Sequence, residues 1–310
     1  MLVTADKLLM LVDGRYSAEC RLNNPGTDVI TLTTEHPLAE HLSDHGTLFT
    51  DASALSHLAW QTLEKQCSVR LQHWDASVLR VHKYPDEIAK IRQAAAIADE
   101  ALRTVMPRIQ PGITEKALAD HLEMAVRQAG GSKTSFDTVV VSGTRGALPH
   151  GRPTDKKLAE GEIVTIDFGA VYQHYCSDMT RTFALGNVNP ELKALYDTVL
   201  TAQQSARDAV RPGMRCQELD AVARDIIAAA GYGGYFSHNL GHGLGLDVHE
   251  APALSPQNTQ SLEPGMVITI EPGIYIPGLG GVRIEDDVLV TESGSDVLTQ
   301  SPRAWKDICL

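Results

Sequence analysis

Four carboxylates stand within strand-like segments where an apolar residue would be expected. They are Asp167 in IVTIDFG, Asp178 in SDMTRTF, Glu271 in VITIE and Glu285 in VRIEDD. The first two segments and the last two form hairpin-like pairs, and the second pair is joined by a stretch rich in glycine and proline. We interpret VRIEDD as one continuous strand. Each hairpin would bring its two carboxylates close together.

Alternation of side chains gives each segment two different faces. In the first segment Val164, Ile166 and Phe168 would point into the core. Thr165 and Asp167 would share the opposite face, together with the polar residues of the neighbouring strand. The pattern therefore predicts a polar layer that contains the carboxylates, backed by a packed apolar layer.

A single strand carboxylate usually belongs to a solvated face, but closely grouped carboxylates repel one another. Such a group requires raised pKa values or a bound cation. The four negative charges of the group match two divalent cations. This balance predicts a dinuclear metal site that can hold a hydroxide between the ions.

Histidines form the second candidate group. The glycine-rich segment HNLGHGLGLDVHE contains His238, His242 and His249, and glycine lets the backbone bend closely around a site. His150, in LPHGRP, lies at the corresponding place in the preceding part of the chain. No HExxH, GxSxG or GxxxxGK[ST] motif occurs, which argues against the common zinc proteases, serine hydrolases and P-loop proteins.

An internal repeat indicates which elements position these residues. A Pro-Gly pair at residues 111–112 recurs at residues 212–213, and the helical pattern after each pair ends at Gly130 and Gly231 respectively. Each pair follows another helical stretch and precedes segments rich in Val, Ile and Thr. The sequence therefore predicts an α+β domain of two pseudo-symmetric helix–helix–sheet halves, with a cleft where the sheets meet.

The N-terminal part of the chain has a different pattern. Short apolar runs alternate with turn residues, and residues 52–66 are predicted to form a helix with Leu58 among its buried positions. Pro85 marks a boundary, because the residue before a proline disfavours helix and the acidic residues that follow favour a helix N-terminus. We predict a small α/β domain over residues 1–84 and a larger domain over residues 85–310.

Composition narrows the classes of function. The chain has 310 residues and a formal net charge of −12, which argues against general nucleic-acid binding. Its five cysteines include no CxxC pair, so a reducing compartment is the simple interpretation. No apolar stretch reaches the roughly 18 residues of a membrane span. We expect a cytoplasmic protein that binds neither nucleic acid nor membrane.

In their order along the chain, the segments resemble the pita-bread metallopeptidases, the family of aminopeptidase P, prolidase and methionine aminopeptidase. The matching segments are VTIDFGA, YCSDMTRTF, HNLGHGLGLDVHE, ITIEPGIYIPG and GGVRIEDDVLV. The segment SFDTVVVSGTRGALPHG is more similar to bacterial Xaa-Pro aminopeptidases than to methionine aminopeptidases. The resemblance implies a pita-bread domain over residues 85–310 that hydrolyses the N-terminal Xaa-Pro bond of short peptides.

The resemblance also implies a role for each site residue. The metal ligands would be Asp167, Asp178, His242, Glu271 and Glu285, and the other catalytic candidates are His150, His238, His249 and Arg283. Glu271 would also move a proton from the attacking water towards the leaving proline nitrogen. The three catalytic histidines would bind substrate around its proline and stabilise the tetrahedral oxyanion.

The implied cofactor is a pair of divalent metal ions. Mixed carboxylate and imidazole ligands suit manganese, which we take as the expected metal, with cobalt or zinc as alternatives. The implied partners are short peptides with proline at the second position. The family's small domain often contributes to dimer contacts, so the resemblance implies a possible homodimer. In this sequence the small domain is expected to be shortened.

Other functions stay open at the level of the sequence. An Xaa-Pro dipeptidase, or prolidase, would use the same chemistry but reject residues beyond the proline. A methionyl or relaxed-specificity aminopeptidase would share the metal site. A creatinase-like hydrolase shares the fold without the metal, and the complete ligand set argues against it. A catalytically inactive binding homologue is the non-enzyme alternative.

Overall fold

The structure, a computed structural model, describes residues 1–310. The chain folds into two compact units, residues 1–76 and residues 77–310. The first long helix of the larger unit begins at Pro85, at the junction that the sequence marks. The division into domains over residues 1–84 and 85–310 stays a prediction. None of the helices is both long and apolar enough to cross a membrane.

The N-terminal unit is an α/β arrangement with a core of its own. Its strands are β1 (Leu2–Val3), β2 (Leu8–Asp13), β3 (Asp28–Leu32), β4 (Thr47–Thr50) and β5 (Arg70–His73), and its helices are α1 (Ser17–Asn23), α2 (Leu38–Leu42) and α3 (His57–Cys67). Strand β2 pairs with β1 in antiparallel and with β3 in parallel orientation, while β4 and β5 form a separate parallel pair.

The predicted helix over residues 52–66 is only partly correct. Helix α3 begins after Ser56, whose Oγ accepts a hydrogen bond from the backbone N–H of Ala59. Residues 52–54 instead form a short 3-10 turn, capped by Asp51. Two cap residues so close together divide the apparent pattern into two elements. Leu58 is 72% exposed, so its predicted burial is wrong.

The larger unit contains five helices and thirteen strands. The helices are α4 (Pro85–Val105), α5 (Glu115–Gln128), α6 (Pro190–Ala209), α7 (Cys216–Ala229) and α8 (Trp305–Ile308). The strands are β6 (Lys133–Thr134), β7 (Val139–Ser142), β8 (Ile163–Phe168), β9 (Ala170–Tyr172), β10 (Tyr175–Cys176), β11 (Met179–Ala184), β12 (Gly241–Gly243), β13 (Glu250–Leu254), β14 (Val267–Ile270), β15 (Gly273–Ile276), β16 (Gly280–Arg283), β17 (Asp286–Val290) and β18 (Ser295–Val297).

The predicted repeat is present in the larger unit. Helices α5 and α7 have the same length, and both of their ends differ by 101 residues. Gly112 and Gly213 precede them with φ values of 97° and 82°, a left-handed conformation that favours glycine. Helix α4 packs on α5 and α6 packs on α7, and one apolar core joins both pairs to the sheets. The unit therefore has the predicted α+β fold of two similar halves.

The sheet of the first half confirms the predicted faces. Strand β8 lies between β7 and β11, and Asp167 is directly opposite Thr180 on β11. Val164, Ile166 and Phe168 lie in the apolar core. The polar residues of β8 and β11 therefore form one layer on the other side.

The prediction of one continuous strand over residues 282–287 is wrong. Strand β16 ends at Arg283 and pairs with β15, whereas β17 begins at Asp286 and pairs with β14. The chain changes partner strands at Ile284 and Glu285, where the backbone N–H of Glu285 donates to the carbonyl oxygen of Thr180 at 3.1 Å. Because Thr180 belongs to the first half, the break places Glu285 where strands of the two halves meet.

Gly169 provides a test of the close approach that brings the first pair of carboxylates together. A Cβ atom at this position would lie 1.8 Å from the carbonyl oxygen of Ser177. We expect Gly169→Ala to lower the free energy of unfolding by about 3 kcal/mol, because the backbone segments must separate. The measurement is equilibrium unfolding in urea.

The control is Gly112→Ala, where a Cβ atom would meet no other atom and only the left-handed backbone opposes the change. Its expected loss is about 1–2 kcal/mol. Equal losses in the two variants would show that the approach of the chain at Gly169 is looser than described.

Candidate active site

All nine residues selected from the sequence line one cavity of the larger unit, of about 580 Å³. They are His150, Asp167, Asp178, His238, His242, His249, Glu271, Arg283 and Glu285. Asp167 lies on β8 of the first half, and His242 lies on β12 of the second half. The fold therefore brings together residues that are far apart in the sequence and belong to both halves.

Asp178, His242 and Glu285 form the tightest group in this cavity. One ligand atom from each lies within 4.8 Å of the others. The Nε2 atom of His242 is also 3.3 Å from Oε1 of Glu271 and 3.8 Å from Oδ2 of Asp178. These ligand atoms lie close enough together to bind one cation.

Two carboxylate oxygens in the cavity have no partner in the protein. Oδ1 of Asp167 and Oδ1 of Asp178 are buried and accept no hydrogen bond. Burying a hydrogen-bond acceptor without a donor lowers the stability of the folded protein, and burying an unpaired carboxylate lowers it further. Carboxylate oxygens with an imidazole nitrogen form a donor set that divalent transition metals accept. The residues present therefore fit divalent cations.

The electrostatics of the cavity lead to the same conclusion. Burial, and then the charges of Glu285 and Asp167, raise the pKa of Asp178 well above its usual range. Burial and the charges of Glu271 and Asp167 do the same to the pKa of Glu285. In the protein alone, protons must partly neutralise this group. A bound cation would replace them.

Glu271 differs from its neighbours. Its burial alone would raise its pKa, but the hydrogen bond and the charge of His242 lower that pKa below the ordinary value. The pKa of His242 is raised in turn, because the contact with Glu271 outweighs the effect of burial. The hydroxyl of Thr269 also donates to Oε1 of Glu271, at 3.2 Å. These contacts favour the ionised form of Glu271.

Arg283 connects ligand candidates from the two halves. Its Nη2 donates to Oδ2 of Asp167 at 2.5 Å, and its Nε donates to the hydroxyl of Thr180 at 2.9 Å. That hydroxyl donates in turn to Oε2 of Glu285 at 2.6 Å. The buried guanidinium group therefore orients the carboxylate of Asp167 directly and that of Glu285 through the hydroxyl of Thr180.

Tyr275 belongs to the same network, and the sequence reasoning missed it. Its hydroxyl oxygen accepts a hydrogen bond from Nη1 of Arg283 at 2.9 Å and lies 2.9 Å from Nε2 of His238. Burial raises the pKa of Tyr275 to about 12, so the phenol stays neutral. The only sequence signal is a polar aromatic residue within the turn-rich segment GIYIPG.

Asp287 also received no role from the sequence. It is fully buried, and its Oδ2 accepts a hydrogen bond from the backbone N–H of Asp178 at 3.0 Å. Burial raises its pKa well above the usual range. Asp287 follows Glu285 by two residues in VRIEDD, but this spacing alone does not indicate a contact with Asp178.

Two further histidines, His238 and His249, lie around the cluster. The ring of His249 is 4.4 Å from that of His242, centroid to centroid, at an interplanar angle of 75°. Burial lowers the pKa of His238 and that of His249. Both imidazoles are therefore neutral at neutral pH, able to donate from one ring nitrogen and accept at the other.

Two similar helix–helix–sheet halves around a carboxylate–imidazole cluster are the arrangement of the pita-bread metallopeptidases. Residues 89–292 match metallopeptidase family M24, and the chain belongs to this family.

Similar proteins cover nearly the whole chain. An uncharacterised peptidase of Bacillus subtilis, YqhT, is 41% identical over 308 residues, which are 97% of this chain and 87% of the relative. The solved structure of an Xaa-Pro dipeptidase from Bacillus anthracis is 38% identical, with a TM-score of 0.93 over 97% of this chain and 86% of that chain. An X-Pro aminopeptidase from Thermotoga maritima is 35% identical, with a TM-score of 0.90 over 98% of this chain and 88% of that chain.

The raised pKa values predict how pH and metal act on stability. In the folded, metal-free protein Asp178 and Glu285 hold protons more tightly than in the unfolded chain, where their pKa values are near 4. Their contribution to stability is therefore largest in acid and is lost as the pH rises from about 4 through the raised values. We expect the increase in Tm on adding Mn²⁺ to EDTA-treated protein to be larger at about pH 8 than at about pH 5.5.

Differential scanning fluorimetry of EDTA-treated and metal-loaded protein measures this difference. KCl at the same ionic strength serves as the control, because a monovalent salt does not replace the protons of these carboxylates. An increase in Tm that is independent of pH would show that protons and cations do not compete for these carboxylates.

Proposed function

We propose that this chain is a dinuclear metal-dependent aminopeptidase that hydrolyses the N-terminal Xaa-Pro bond of short peptides. One observation carries the proposal: a single cavity collects all five candidate ligands and leaves two of their buried carboxylate oxygens without a partner. The similarity to solved Xaa-Pro peptidases supports the substrate class.

In this proposal each ligand has a place. Asp167, Asp178, His242, Glu271 and Glu285 would together hold two divalent cations. The short distances among Asp178, His242 and Glu285 support this arrangement. When bound, two divalent cations lower the pKa of water and polarise a carbonyl group. Mn²⁺ is the first cation to test, with Co²⁺ and Zn²⁺ as alternatives.

The remaining residues would transfer a proton, donate hydrogen bonds to the substrate or orient a ligand. Glu271, which is ionised, would accept a proton from the nucleophilic water and deliver it to the proline nitrogen. His150, His238 and His249 line the cavity where the peptide carbonyl would lie and can donate to a developing oxyanion. Arg283 donates its hydrogen bonds to groups of the protein itself. We therefore propose that its role is to orient the ligand Asp167.

A dipeptidase is the second candidate. Several solved structures similar to this chain bear the name prolidase or dipeptidase. A dipeptidase would place the carboxylate of the proline within the cavity and exclude longer chains. The metal chemistry would be the same, so only the accepted length of the substrate distinguishes the two functions.

A panel of peptides tests both candidates. Metal-loaded protein is incubated with Xaa-Pro, with Xaa-Pro-Xaa-Xaa, and with matched peptides that carry alanine in place of proline. We expect cleavage of the longer proline peptides after their first residue. Cleavage of the dipeptide alone would establish the dipeptidase, and equal cleavage of the alanine peptides would contradict the proline preference.

Glu285→Ala tests the metal centre directly. The change removes a proposed metal ligand, so we expect at least a roughly 1,000-fold fall in kcat/KM, about 4 kcal/mol in transition-state stabilisation. Peptidase assays with added Mn²⁺ and metal analysis of the purified variant measure the effect. The control is Glu292→Ala, which removes an exposed glutamate outside the cavity. Near wild-type turnover by Glu285→Ala would refute the proposed centre.

A further inference from the structure

His238 is carried by a segment without regular structure. Residues 236–240 follow a short 3-10 turn and precede β12. The position of the imidazole therefore depends on contacts that this segment makes with other elements. Its ring reaches the hydroxyl of Tyr275, so a small shift of the backbone would break that contact.

An acid–base pair on helix α7 makes these contacts. Nε and Nη2 of Arg224 donate to the two carboxylate oxygens of Asp220, at 2.7 and 2.8 Å. The side chain of Asp220 is 1% exposed and that of Arg224 is 28% exposed. A two-pronged contact of this kind fixes the plane of the guanidinium group. Neither residue lines the cavity.

The pair holds the backbone on both sides of Asn239. Nη2 of Arg224 donates to the carbonyl oxygen of His238 at 2.9 Å. Oδ1 of Asp220 accepts a hydrogen bond from the backbone N–H of Leu240 at 3.1 Å. Since both groups belong to one rigid ion pair, they fix the spacing between these two peptide units.

Further contacts extend from the two ends of the pair. Nη1 of Arg224 donates to the carbonyl oxygen of Phe236 at 3.2 Å, and the guanidinium carbon lies 4.3 Å from the centre of that ring. The rings of Phe236 and His238 meet edge to face at 5.0 Å. At the other end, the carbonyl oxygen of Leu240 accepts a hydrogen bond from the backbone N–H of Glu271 at 2.9 Å.

We propose that Asp220 and Arg224 are positioning residues that set the location of the His238 imidazole in the cavity. They act through the backbone and touch neither substrate nor metal. The importance of His238 for turnover rests on the proposed function, whereas its placement by the pair does not. A lysine at position 224 keeps the charge but cannot donate from a planar fork to several oxygens at once.

The test compares Arg224→Met with Arg224→Lys, each alone and combined with His238→Ala. We expect Arg224→Met to lower kcat/KM for the best peptide of the panel by about 10–100-fold, because a displaced group loses its reacting geometry. Arg224→Lys should restore little of this loss. In the His238→Ala background Arg224→Met should cause no further loss. Additive losses would overturn the proposal.

Arg215→Met is the matched control. Arg215 lies at the start of the same helix, its side chain pairs with Glu218, and it does not line the cavity. The substitution removes the same charge from the same helix and should leave kcat/KM unchanged. An equal loss in Arg215→Met would attribute the effect to helix α7 as a whole.

A crystal structure of the Arg224→Met variant supplies a readout that does not depend on activity. We expect the distance between Nε2 of His238 and the hydroxyl oxygen of Tyr275 to lengthen from 2.9 Å. An unchanged distance would refute the positioning role. If Arg224→Met does not fold, the same comparison is made with Arg224→Lys. If the wild-type protein cleaves no peptide, the proposed function fails, and this distance still decides the positioning role.

Discussion

Mutual repulsion among buried carboxylates is the constraint on which the rest of the structure depends. Asp178 and Glu285 lie in one cavity with the carboxylates of Asp167 and Glu271, and burial strengthens every interaction between their charges. The protein supplies one guanidinium, from Arg283, and one imidazole, from His242, within reach of the group. These do not balance the charge. The remaining imbalance makes the cavity a place for divalent cations, and it requires a scaffold rigid enough to hold like charges together.

The scaffold meets this requirement behind the site as well as within it. Arg181 is 1% exposed and pairs with the fully buried Asp286 at 2.8 Å. Its Nη1 also donates to the backbone carbonyl oxygens of Thr180 and Glu285. A buried ion pair of this type contributes little net stability, but breaking it leaves an uncompensated charge in the core. The pair therefore fixes the junction of the two halves at the point where the chain changes partner strands.

The ligand candidates and the other histidines of the cavity are positioned by different parts of the fold. The ligand candidates lie on strands or directly beside them, where the sheet ladders fix the backbone. His238 and His150 lie on connecting segments, and their positions depend on side chains of helices outside the cavity. The hydroxyl and backbone N–H of Ser142 and of Thr154 donate to the buried carboxylate of Glu115 on α5, which holds the segment around His150. Changes on these helices can thus move the two histidines while the strands that carry the ligand candidates stay in place.

The sequence by itself determined the two halves, the apolar faces of the strands and the chemical types in the site. These properties follow from local periodicity, from turn residues such as Gly112 and Gly213, and from charged residues in strands that would otherwise be apolar. Only the tertiary structure decided the break of the strand at Glu285, the part played by Tyr275 and the contact between Asp287 and Asp178. Each depends on a partner about 37 to 109 residues away or on a change of pairing partner, and spacing along the chain carries no information about such contacts.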